Sequence, residues 1–122
     1  MLQISPDKVA HVIIRAREID ADYGGFGEGE AGGDSSVAEL REFIATLNED
    51  EQASLVALMW IGRETFSAEE LEEAIETAKA EATAPTEDYL MGIPMLADYL
   101  EDGLNELGIS LEDAEDGVMR ST

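Results

Sequence analysis

Leu47-Asn48-Glu49-Asp50-Glu51-Gln52-Ala53-Ser54-Leu55-Val56-Ala57-Leu58-Met59-Trp60-Ile61-Gly62 is the stretch that decides the fold of this chain. It opens as a helix start: Asn48 can accept from the backbone amide of Glu51, and the Glu51 carboxylate can return the bond, while three acidic residues in a row suit the positive end of a helix dipole. From Ala53 to Ile61 only Ser54 is polar. A helix apolar on nearly all sides must be enclosed by others. The reading is an all-α, single compact domain of five to six helices packed around a central apolar helix at about 49–61.

Working outward, Asn48 also ends the preceding helix, whose inward face is Val37, Leu40, Phe43, Ile44 and Leu47. Ser36 and Glu39 read as its capping box, and the short link predicts a tight antiparallel hairpin with the central helix. Further upstream, Ser5-Pro6-Asp7 announces a first helix over about 6–20, with Val9, Val12, Ile13, Ala16 and Ile19 as its apolar stripe. Downstream, Gly62 reads as a stop in the left-handed conformation. Ser67 and Glu70 form a second capping box, flanked by the Phe66–Leu71 staple. Leu71, Ala74, Ile75 and Ala78 then face inward, whereas Glu69, Glu72, Glu73 and Glu76 form an acidic outer face. Thr86 caps a short helix stopped by Gly92. After Pro94 comes a last helix with Leu96, Tyr99, Leu100, Gly103, Leu104 and Leu107 on one side and Gly108 as its stop. The helical domain spans 1–108. Six of the eleven glycines fall within 20–35, which reads as a mobile, acidic loop, and 109–122 reads as an acidic C-terminal tail.

Seven basic residues stand against 29 acidic ones, a net charge of -22. Direct binding to nucleic acid or to an anionic membrane needs a basic footprint and is disfavoured. Absence of cysteine excludes disulfides, zinc–thiolate sites and thiol nucleophiles. No basic region followed by a long apolar run opens the chain, and no run reaches membrane-spanning length. A cytoplasmic protein with no membrane association is expected.

The run from Leu47 through Arg63 resembles a signature of an uncharacterised bacterial family, the domain of unknown function DUF3775. Tyr89-Leu90-Met91-Gly92-Ile93-Pro94-Met95-Leu96-Ala97-Asp98-Tyr99-Leu100-Glu101-Asp102-Gly103-Leu104 is similar to its second signature. Ile4-Ser5-Pro6-Asp7-Lys8-Val9 and Arg15-Ala16-Arg17-Glu18 also fit, so the resemblance extends over about 1–108. It implies a small helical protein of proteobacterial type and carries no activity, since the family has none assigned.

No catalytic set emerges. Asp20, Asp22 and Glu28 follow the start of an EF-hand calcium loop, but Gly24 lacks the oxygen that its position requires and Ala31 stands where a bidentate glutamate belongs. His11 is the only histidine. It lacks the upstream glutamate of a di-iron motif and any companion nucleophile for general-base work. No metal site and no cofactor are expected.

Trp60, Arg63, Tyr89 and Tyr99 are the candidate binding residues, because Trp, Tyr and Arg most often anchor protein interfaces. Trp60 and Arg63, three apart, can share a helix face, and Arg63 can pair with Asp98 or Glu101 or await an anionic ligand. The sequence therefore reads as a non-catalytic protein–protein interaction module whose partner is another protein, with self-association through apolar helix faces also open. One alternative is an acidic inhibitor or nucleic-acid mimic that blocks a basic protein with the Glu69–Glu76 face. The other is a small enzyme relying on Arg63, His11 and the tyrosines.

Overall fold

The computed structural model describes residues 2–26, 30–81, 85–93 and 95–109, with the side chains of 20–36 outside that description. Six α-helices follow one another: α1 Pro6–Phe26, α2 Glu30–Thr46, α3 Glu49–Gly62, α4 Leu71–Ala80, α5 Thr86–Met91 and α6 Leu96–Glu106. A 3-10 turn, Ala68–Glu70, leads into α4, and the described residues include no strand. The chain is all-α.

α3 begins as its sequence dictates. Glu51 donates its backbone amide to Asn48 Oδ1 at 2.7 Å, and the Asn48 amide donates to Glu51 Oε1 at 3.0 Å. Every residue from Ala53 to Ile61 is buried. The one polar member, Ser54, uses its Oγ to accept from the Gln3 amide at 3.0 Å, so its burial leaves no orphaned group. The second capping box also forms, with the Ser67 amide donating to Glu70 Oε1 at 2.9 Å.

α4 and α6 are the main partners of α3, while α1 lies against both α2 and α6, and α5 joins α2 to α3. The α3–α6 crossing depends on glycine. A Cβ on Gly62 would fall 1.9 Å from the Tyr99 carbonyl oxygen, and one on Gly103 would fall 2.4 Å from the Leu58 carbonyl oxygen. Leu58 and Gly62 are one helical turn apart, as are Tyr99 and Gly103. Each helix thus presents its bare backbone to a carbonyl of the other, which brings the axes closer than any larger residue permits.

The structure revises several sequence expectations. Helix occupies much of the span read as a loop at 20–35: α1 runs on to Phe26 and α2 already begins at Glu30, with 27–29 outside the described residues. Once a helix is nucleated, each added residue brings one hydrogen bond, and that gain can carry it through glycines costing about 1 kcal/mol each. Ser36 consequently lies inside α2 and is not its cap. α2 leans on α1 and α5 and makes few contacts with α3, so the expected hairpin does not form. The apolar face of α2 is satisfied by the helices that it meets in space, whatever the brevity of its link to α3.

Gly62 is not the left-handed stop. α3 ends in a Schellman arrangement two residues later, with Glu64 at φ 68°. The Thr65 amide donates to the Trp60 carbonyl at 2.8 Å and the Glu64 amide to the Ile61 carbonyl at 2.9 Å. α6 closes in the same way, here with the glycine that the sequence offers: Gly108 has φ 82°, and the Ile109 amide reaches the Leu104 carbonyl at 2.9 Å. Thr86 is the first residue of α5 and gives no side-chain cap; the Asp88 and Tyr89 amides donate to the Pro85 carbonyl instead. Of the tail, 110–122 lie outside the described residues.

Candidate functional site

The C-terminal end of α3 carries Trp60 and Arg63, with Tyr89 of α5 bonded to Trp60 and the Tyr99 backbone of α6 against Gly62. Trp60 is 9% exposed and stacks on Phe66, their ring centroids 5.6 Å apart and 27° from parallel. Its indole Nε1 donates to Tyr89 Oη at 3.1 Å, fixing α5 to α3. A buried indole N–H needs such a partner, and this one orients the tyrosine ring. Tyr89 itself is 40% exposed. Tyr99, half-buried, sits on α6 with its backbone against Gly62. Arg63 caps α3, donating its amide to the Met59 carbonyl at 3.0 Å, and its side chain is exposed.

Arg63 is the one lysine or arginine among the described residues without an ion pair. The partners that the sequence offered it belong to Arg17, which reaches Asp98 Oδ1 at 3.3 Å and also pairs with Glu101. These two carboxylates hold the Arg17 guanidinium above its usual range, the Glu101 hydrogen bond most strongly. Position along the helix decides the exchange: Arg17 lies on α1, which packs along α6, whereas Arg63 lies beyond the last turn of α3.

Sequence reasoning missed Met95, the most exposed large apolar side chain among the described residues at 55%. It holds a left-handed backbone, φ 61°, immediately before α6, and its carbonyl accepts from the Tyr99 amide at 3.1 Å. Position after a proline was the only available signal, and that does not foretell exposure.

The other candidates separate from this end. His11 lies between α1 and α2, its ring 4.5 Å from that of Phe43 and tilted by 54°. Burial, and after it the Arg15 charge, push the imidazole below its ordinary value, with Glu18 pulling the other way. Glu69, Glu72, Glu73 and Glu76 are all exposed, and Leu71, Ala74, Ile75 and Ala78 are buried beneath them. No cluster of three or more potential metal ligands occurs among the described residues. The side chains of Asp20, Asp22 and Glu28 lie outside that description. No helix among the described residues is long and apolar enough to cross a membrane.

No curated protein and no solved structure matches this chain. Residues 37–109, more than half of it, match the family described as Protein of unknown function (DUF3775). The match takes in both signature runs read from the sequence and begins after the opening Ile4–Val9 and Arg15–Glu18 segments. The chain belongs to the DUF3775 family.

Proposed function

We propose that the protein is a non-catalytic interaction module of a bacterial cytoplasm, which binds another protein through the end of α3 and the flanking parts of α5 and α6. The observation that supports this most is the company kept by Tyr89. A half-exposed tyrosine is held rigid by a buried tryptophan of α3, which ends in an unpaired arginine, while α6 begins beside an exposed methionine. Tyr, Met and Arg are enriched in interface cores, and aromatics fixed in advance lose little entropy on binding. Trp60, being buried, serves as the support of this surface and not as its contact.

The test is affinity capture with the wild-type chain and with a Tyr89→Ala/Met95→Ala/Arg63→Ala variant, washed at low and at high salt. A protein retained by the wild type at high salt and lost from the variant is the expected result, with circular dichroism verifying that the variant folds. Equal capture by both removes this surface from consideration. A basic protein released from both by salt alone would favour the acidic inhibitor, whose contacts are electrostatic.

A further inference from the structure

A second feature bears on what the partner presents. Between α1, α2, α5 and α6 the surface dips into a recess lined by the apolar residues Ala16, Ile19, Leu40, Leu90, Met91, Ile93 and Leu96. Its open volume is about 50 Å³. That exceeds the space of a single water and suits the branched end of one aliphatic side chain, not a helix face. The seams on either side are tied by arginines. Arg41 Nε donates to Asp88 Oδ1 at 2.9 Å and joins α2 to α5, while Arg17 joins α1 to α6 through Asp98 and Glu101. Arg17 follows Ala16 and Arg41 follows Leu40 in the chain, so both ties lie beside lining residues without entering the recess.

Both ties contain more carboxylate than guanidinium. Arg17 is shared by two acids, and Glu87 lies close enough to Arg41 to raise its proton affinity beside Asp88. An apolar floor with an acidic rim complements an apolar side chain carried on a basic segment. A second copy of this chain is the wrong occupant on the same grounds, because it would bring another net charge of -22 to an acidic rim.

We propose that this recess takes one aliphatic side chain from a lysine- and arginine-rich segment of another protein. The inference rests on the interaction-module reading and names the partner's chemistry. The probe is a 14-residue amphipathic peptide of leucine and lysine, with an alanine-for-leucine peptide as control, titrated into the full chain and followed through its methyl resonances. The leucine peptide should bind at least tenfold more tightly than the control and shift the methyl signals of Leu40, Leu90 and Ile93. Ala16→Met, which fills the recess with a flexible side chain, should reduce leucine-peptide binding to the control level. The resonance map of the wild type gives the same answer should that variant fail to fold.

Equal binding of the two peptides would reduce the effect to charge and overturn the proposal. Shifts confined to α4, or no binding, would do the same. Sedimentation showing a dimer whose contacts shift the Leu90 and Ile93 methyls would assign the recess to a second copy instead. The two readings fail separately. A partner captured equally by wild type and Ala16→Met but lost on altering Tyr89, Met95 and Arg63 leaves the interaction module standing without the recess.

Discussion

The α3–α6 crossing and the seams around α1 are built on opposite principles. At the crossing no ion pair links the two helices among the described residues; backbone meets backbone at Gly62 and Gly103, and the burial is apolar. α1, in contrast, is tied outward by charge: Lys8 to Glu51 at 2.6 Å on α3, Arg15 to Glu39 at 3.7 Å on α2, and Arg17 to two carboxylates on α6. A protein with a net charge of -22 and few cations has placed nearly all the described ones between helices. Exposed pairs of this kind contribute little each, on the order of 0.2–1 kcal/mol. The difference teaches that shape specifies the centre, while charge trims the surroundings and leaves them responsive to salt and pH.

The largest expected effect breaks the crossing. Gly103→Ala and Gly62→Ala each put a methyl group inside the van der Waals radius of a backbone carbonyl, which no rotamer change can relieve. Overpacking commonly costs about 1–3 kcal/mol, and backbone contacts of this kind belong at or beyond the upper end. Each variant should lower the melting temperature by roughly 10 °C or more. Gly92→Ala is the control, since a Cβ there would meet the Asp88 carbonyl oxygen at an ordinary 3.6 Å. Thermal unfolding followed by circular dichroism decides the matter: equal melting points for all three would mean that the helices do not cross as described.

This crossing also shows where the sequence stops being readable. The inward faces of α1, α4 and α6 follow from their periodicity, the enclosure of α3 follows from its unbroken apolar run, and both capping boxes follow from residues three apart, because these are local relations. Gly62 looked like a helix stop because a glycine after an apolar run serves equally for a left-handed turn and for close approach, and only the position of Tyr99 separates the two. The exchange of Arg63 for Arg17 has the same origin. Of the candidate surface, the residue types were legible, but the Trp60–Tyr89 hydrogen bond and the exposure of Met95 depend on how α5 returns to α3.

A smaller effect, of opposite sign, belongs to the residue that took the role expected of Gly62. Glu64 pays the left-handed penalty of an L-residue, on the order of 1–2 kcal/mol, to complete the Schellman hydrogen bonds. Glu64→Gly removes that strain, and glycine's greater freedom in the unfolded chain takes part of the gain back. A net stabilisation of about 1 kcal/mol is expected, seen as a higher denaturant midpoint with unchanged slope. Glu64→Ala, which keeps the Cβ, should show no such gain; if both variants stabilise equally, charge relief and not backbone strain is the cause.

The smallest effect lies on the charged side of the comparison and can be isolated through pH. His11 sits against Phe43 between α1 and α2, with burial and Arg15 lowering its proton affinity and Glu18 partly restoring it. In the unfolded chain the imidazole titrates at about 6.5. Because the folded value is lower, the unfolded state binds the proton first, and stability present above about pH 6.5 is lost as the pH falls through the folded value. Relief of carboxylate repulsion acts the other way over the same range, since protonating any of the many exposed acids reduces the net charge. The wild-type melting curve alone therefore cannot separate the two. His11→Gln can, because it removes the titration and leaves the carboxylates in place. The wild-type melting point minus that of the variant should be constant above pH 7 and shrink toward pH 5. A difference independent of pH would mean that the imidazole is as free to take its proton in the folded protein as in the unfolded one, and that α1 and α2 do not enclose it.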